Sequence, residues 1–445
     1  MFDQMANNFQ KTKNHIVLGL VLYKLSLEIC YIFIISPLYG YSGFLLDIDV
    51  GKLVLSWIIY IALSYYFKRV FYNNNFNISV IILFCLFILY FTPLISLIFL
   101  ANLPYIFMML VCIYWCLAVV LEKIFSKITF ISFAYNAYNK NILTDKIADV
   151  IILLCCIYMF IFSLNYNKLY INFALENVYN LRLAARDANF SGLSGYLLSW
   201  IGFVIAPSAA LRYFKQKKWI LFSFICYIQL LHYSIAGEKT ILAIIPISIF
   251  LYIFFSNRNL LRLPFGMFFV NIISFCEYFL LGTYKLSAYI ICRTLYFPSL
   301  LNYWYYDFFS KNPPDMLKQS VLRRIGLVST YDIQIPNLIG LTYTNSIEHT
   351  ANTGMFGDAY ANFGILGVVI YPVLMAILLC VFNNMSKNVY IKNYVNLVII
   401  ILLFMINGSF FTIILSNGIW LAIVILFFSK RFSVIKKIKL QFGIK

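Results

Sequence analysis

Arg182 and Arg186 stand four residues apart in residues 181–188, a stretch with helical propensity. Both guanidinium groups are therefore expected on one helix face. Like charges at that spacing repel unless an anion lies between them. Arginine grips anionic oxygens with paired hydrogen bonds. The bland alternative is a solvated helix in which Arg186 pairs with Asp187 or Glu176. Further cations are Arg293 at the end of an apolar stretch, Lys239 after Gly237-Glu238, and the pair Arg323-Arg324. His349 is the one histidine in the chain's two long polar stretches, and its ordinary pKa near neutrality suits general-base work. A lone loop histidine is more often incidental. Glu348 and Asp358 are competing carboxylates, and Asp358 could equally cap or orient its own segment. Together these residue types suit a site where an anion is held by guanidinium groups and a proton is removed by a base.

Other polar groups carry weaker signals. Asp47-Ile48-Asp49 could bind a metal or supply a base, but such pairs are frequent and a polar loop needs polar residues. Lys24 and Glu28, four apart inside the first apolar run, are expected to neutralise one another. Gly237-Glu238-Lys239-Thr240 lacks the Gly-Lys-Thr order of a nucleotide loop. The ten cysteines lie in or beside apolar runs, so neither a disulfide framework nor a thiolate metal site is expected. No metal and no cofactor is assigned.

The elements that position these groups follow from composition. Of 445 residues, 63% are apolar and only 11% charged. Soluble domains carry roughly a quarter charged residues. Apolar runs near the ~20 residues needed to cross a bilayer recur along the chain. They fall at about 15–37, 53–67, 77–97, 102–122, 147–164, 196–211, 219–235, 240–256, 264–283, 357–383, 393–408 and 411–429. The expected fold is all-α: one polytopic membrane domain over 1–445, with about twelve transmembrane helices. The first run lacks a small-x-small cleavage site and reads as a span instead of a cleaved signal.

The formal charge of +18 is distributed as punctuation between spans. With the N-terminus inside, the cytoplasmic segments carry Lys11, Lys13, Lys68, Arg69, Lys123, Arg212, Lys215, Arg258, Arg262, Lys387 and Lys392, and the basic tail follows. This positive-inside pattern places both termini in the cytoplasm and makes a nucleic-acid partner unnecessary. Residues 165–195 and 284–356 then form two long loops on the opposite face. Long polar loops in a membrane protein usually carry function. In the second, aromatic residues 303–306 precede Asp307 and suit an interface belt or a sugar-stacking surface. Pro313-Pro314-Asp315 reads as a helix start. Residues 316–327 read as an amphipathic helix on the outer surface, which accounts for Arg323 and Arg324 as lipid-facing cations.

The closing segment Gly357-Asp358-x-Tyr360-x-Asn362-Phe363-Gly364-x-x-Gly367 resembles the end of the large outer loop in O-antigen and capsule repeat-unit polymerases, the Wzy-type family. Arg293-x-x-x-x-Pro298 with Tyr306-x-Phe308-Phe309 is similar to that family's central region. Ala236-Gly237-Glu238-Lys239-Thr240 sits where related enzymes tend to carry Gly-Ser-Arg; here the basic residue is lysine. The resemblance implies a glycosyltransferase of the bacterial inner membrane. Its substrates would be a polyprenyl-diphosphate-linked oligosaccharide donor and a like acceptor, joined on the periplasmic face without nucleotide or metal. Under that resemblance Arg182, Arg186, Arg293 and Lys239 would hold the diphosphate, with Arg323, Arg324 and Tyr360 as weaker substrate contacts. His349, Glu348 or Asp358 would act on the attacking hydroxyl. Membrane lipids are further partners, and a chain-length regulator protein is left open as another. An O-antigen ligase would look similar. A lipid-linked glycan flippase would show more charge inside its spans.

Overall fold

The structure is a computed structural model that describes residues 2–73, 75–129, 141–167, 169–171, 181–182, 184–185, 192–387 and 389–428. Among these residues every regular element is helical, with a single isolated bridge between Asp47 and Ala101. Nine helices among the described residues are long and apolar enough to cross a membrane. The fold is thus that of an all-α, multi-pass membrane protein. The three other expected spans take different forms. Lys239–Phe254 and Ile391–Asn407 are apolar but shorter. The last is broken into Phe410–Leu415 and Ile419–Phe427, with Gly418 between them in the left-handed region at φ 85°.

The chain gathers into two compact units: residues 1–128, 256–383 and 404–410, and residues 129–255, 384–403 and 411–445. The first is built around the composite helix Ile78–Leu100, nearly all of whose residues are buried, so that it shows lipid almost no surface. Lys24 and Glu28 lie buried beside it as an ion pair. Removing two charges from water is costly unless each finds partners. Lys24 Nζ also donates to Ser56 Oγ (3.3 Å) and lies 4.2 Å from the Trp57 ring centroid, while Ser96 Oγ donates to Glu28 (3.0 Å). The expected mutual neutralisation is what the geometry shows.

In the second unit, Leu193–Lys215 packs against Trp219–Ala236. Gln229 Nε2 donates to the Gly202 carbonyl (2.9 Å) and to that of Ile241 (2.8 Å). Gly202 permits this approach, since a Cβ there would run into the His232 ring. Arg212 pairs with Asp149 at 3.0 Å, and Trp200 Nε1 donates to the Leu415 carbonyl at 2.9 Å.

One local rule recurs in both units. The π-helical segments Tyr31–Ile35, Phe87–Phe91, Ile201–Ile205 and Ser287–Tyr296 each end two residues before a proline: Pro37, Pro93, Pro207 and Pro298. Proline has no N–H to donate, and its ring collides with the carbonyl four residues back. A wider turn just ahead moves that carbonyl aside, so the helix continues.

This device changes the reading of residues 284–356. Residues 287–311 are one continuous rod, π-helical to Tyr296 and α-helical over Phe297–Lys311. The expected amphipathic helix over 316–327 is corrected: only Leu322–Ile325 makes a single 3₁₀ turn. Met316 and Leu317 have φ of 55° and 61°, in the left-handed region, so no right-handed helix can start there.

Candidate functional site

The motif residues 357–367 are mostly structural. Asp358 is buried: its Oδ2 accepts from the Phe410 N–H (2.7 Å) and the Tyr371 hydroxyl (2.8 Å), and its Oδ1 from Asn362 Nδ2 (2.9 Å). With every donor supplied by protein, this carboxylate positions three segments. Asn302, fully buried, does the same one layer away. Its Oδ1 accepts from Tyr90 Oη (2.7 Å) and from the Gly357 N–H (3.0 Å). Gly357 and Gly367 are small because a Cβ would meet Thr353 and the Ala359 carbonyl respectively. Tyr360 is buried, its ring 5.1 Å from that of Tyr306.

This scaffold presents a face of the rod 287–311 on which several sought-after groups meet. His349 is exposed and stacks on Phe297, with centroids 6.2 Å apart and planes at 22°. Its Nδ1 lies 3.1 Å from Thr344 Oγ1. Gly340 makes the seat possible, since any Cβ there would strike the His349 carbonyl. Arg293 is exposed and lies one turn before Phe297 on the same rod. Farther along, Trp304 and Tyr343 stack in parallel at 5.1 Å and 5°. Tyr343 Oη donates to Asp307 Oδ2 (2.6 Å), and Lys311 Nζ to Asp307 Oδ1 (2.7 Å). Burial, reinforced by the Asp307 carboxylate, pushes the Tyr343 phenol well up, so it stays a donor. The Asp307–Tyr343 pair was not singled out in the sequence. The acidic residue after the aromatic run was its one visible sign.

The second unit carries its own basic cluster. Arg182 Nε donates to the Gly237 carbonyl (2.9 Å), and its stem and backbone lie against Gly237, which has φ 63°. Glycine is required there on both counts. Lys239 is exposed in the first turn of Lys239–Phe254, and Glu238 is exposed beside it. The protein packed around Glu238 pushes its carboxyl up, an effect that the Arg182 guanidinium opposes and solvent dilutes. The structure therefore sets Arg182 against Gly237 beside Glu238, with Lys239 next along the chain, and separately places Arg293 one turn along the rod from Phe297, on which His349 stacks. Glu348 is exposed next to His349, and Arg323 is exposed on the 3₁₀ turn Leu322–Ile325. Arg324 lies in the same turn; Arg186 lies outside the described residues.

Asp47 and Asp49 are both engaged. Asp49 caps Val50–Tyr72 by accepting from the Lys52 N–H (2.8 Å) and also takes the Tyr105 hydroxyl (3.0 Å). That backbone bond, with the Tyr105 bond and Lys52 adding to it, holds its carboxyl below the usual range. Asp47 Oδ2 accepts from Asn102 (2.8 Å). The pair thus ties two loops together.

No family model, no curated protein and no solved structure matches this chain.

Proposed function

We propose that the protein is a membrane glycosyltransferase that polymerises polyprenyl-diphosphate-linked oligosaccharide repeat units. The observation that carries this is an exposed imidazole, His349, stacked on Phe297 of the rod, with an exposed guanidinium, Arg293, one helical turn before Phe297 on the same rod. They stand on an aromatic-lined face of a multi-pass chain, and the residues that resemble the polymerase signature support that face from beneath. In the proposed reaction an acceptor sugar hydroxyl attacks the anomeric carbon of the donor. The bond to the lipid diphosphate breaks, and the diphosphate leaves with the bonding electrons. His349 takes the hydroxyl proton. Arg293 meets the charge developing on the leaving phosphate, a role a guanidinium fills without a metal ion. By analogy with oxyanion donors, such a contact supplies ~2.7–4 kcal/mol, or about 10²–10³ in rate. Arg182 and Lys239 form a second basic cluster suited to the same class of oxygen. The charge pattern supports a periplasmic site with both termini in the cytoplasm of a bacterial inner membrane.

The test is the surface-polysaccharide ladder of a deletion strain, with the lipid-linked intermediates analysed alongside. A polymerase loss leaves single-unit surface glycan; a ligase loss leaves none and accumulates lipid-linked polymer. Complementation with Arg293→Ala, His349→Ala or Arg182→Ala is expected to restore protein in the membrane but not polymer. Normal chain lengths from both arginine variants would overturn the assignment of those residues.

A further inference from the structure

The residues that fail to form an amphipathic helix make a different object. From Asp315 to Ser329 the chain leaves the motif and returns as a hook whose base is stapled and whose apex is bare. At the base, the Asp315 N–H donates to the Ala361 carbonyl (2.9 Å) and the Met316 N–H to that of Asn362 (3.1 Å). The Leu317 N–H donates to Asn362 Oδ1 (3.0 Å). The buried Asp315 carboxylate accepts from the Gln319 N–H (2.8 Å) and the Ser329 hydroxyl (2.5 Å). Gln319 completes the closure: Nε2 donates to the Tyr331 and Ile333 carbonyls, and Oε1 accepts from the Ile335 N–H. This is a rigid attachment, with few groups left for water.

The apex is the reverse. Ile325 is 73% exposed, Val328 84% and Leu327 46%, and the Met316 side chain at the base is 50% exposed as well. Four large apolar side chains within thirteen residues are a poor surface to leave in water. Arg323 is exposed among them, and Lys318 and Arg324 lie in the same stretch.

The attachment point fixes the level of this apex. Ala361 and Asn362 sit just before the irregular turn Gly364–Leu366, from which Gly367–Met385 continues. A helix of that length rises about 28 Å, close to the hydrocarbon thickness, so residues 361–366 lie near its boundary. Ile365 and Leu366, within one or two turns of the staple, are themselves 64% and 70% exposed.

We infer that the hook 316–328 seats in the bilayer interface, with Ile325, Leu327 and Val328 among the upper acyl carbons and Arg323 at phospholipid phosphates. Its occupant is the surrounding phospholipid leaflet: apolar tips paired with flanking cations match an anionic headgroup layer. Such a hook would hold the neighbouring segment 335–349 at a constant depth.

The test uses the full chain in phosphatidylcholine–phosphatidylglycerol vesicles, free of glycan substrate. Val328→Trp adds one indole, read as a difference spectrum against the parent protein. Phospholipids brominated near the headgroup end of the acyl chain are expected to quench it strongly, those brominated near the tail end weakly, and iodide little. Ile325→Trp, an independent placement, is expected to behave alike. Quenching by iodide without bromolipid quenching would overturn the inference, as would an indole reached by neither. None of these readings depends on whether the protein is a transferase.

Discussion

At the scale of single residues, burial separates groups that hold the fold from groups free to do chemistry. Asp358 faces three donors and almost no solvent. Replacing it with asparagine turns one acceptor into a donor against the Tyr371 and Phe410 donors, so Asp358→Asn is expected to destabilise by roughly 1–3 kcal/mol. Thermal unfolding in detergent would show this as an early transition. His349→Ala should unfold like the parent, because the imidazole is exposed and lies against a threonine hydroxyl, that of Thr344. Equal unfolding of parent and Asp358→Asn would refute the structural role. Lys24 and Glu28 obey the same logic more severely. Glu28→Gln leaves a buried ammonium without its counter-charge, a loss of about 3–5 kcal/mol, whereas Lys24→Met with Glu28→Leu should be near neutral. Yield from membranes and unfolding temperature distinguish the two, and a double variant worse than the single would contradict it. The Lys24–Glu28 pairing was readable from a spacing of four in an apolar run. The donors to Asp358 were not, because Phe410 and Tyr371 reach it through tertiary packing.

At the scale of elements, the prolines were the misread signal. Arg293 was read as the end of an apolar stretch inside a long loop, and the sequence held no notice that a widened turn before Pro298 would carry a rod through. Likewise Pro313-Pro314-Asp315 suggested a helix start, but Asp315 spends its carboxylate on a turn, and Met316 and Leu317 take left-handed backbone. The rod's widened turn decides where Arg293 points. Pro298 is the reason for it, and two anchors guard it: Tyr296 Oη donates to the Leu27 carbonyl (3.1 Å) on one side, and Asn302 is fixed on the other. Pro298→Ala alone is therefore expected to leave the turn in place. Pro298→Ala with Tyr296→Phe frees the first half to re-register by one residue, about 100° of rotation. Spin labels at positions 293 and 349 should then move apart in the double variant and in neither single one. Separation in the single proline variant would mean that the turn is held by proline alone.

At the scale of the whole molecule, hydropathy was the legible part, since a bilayer leaves the backbone no choice but internal hydrogen bonds. The expected runs 77–97 and 102–122 reappear as Ile78–Leu100 and Tyr105–Phe125, and the run at 411–429 failed only where Gly418 breaks it. The candidate face was not legible: Phe297 meets His349, and Trp304 meets Tyr343, across 52 and 39 residues of chain that no periodicity links. Which side of the membrane that face occupies rests on the charge pattern, and the proposed chemistry depends on it. Lipid-linked glycan donors need no nucleotide; a site facing the cytoplasm would stand among nucleotide-activated sugars instead. A phosphatase that is active only outside the cytoplasm, fused after Asp332, should therefore be active, and one fused after Lys217 silent. A cytoplasm-dependent fluorescent reporter should give the opposite result at each position. Lys215, Lys217 and Lys218 make the second junction strongly retained, so the pair reads orientation with little ambiguity. Activity at Lys217 with silence at Asp332 would put Arg293 and His349 inside the cell and end the polymerase proposal, while leaving the interfacial hook untouched.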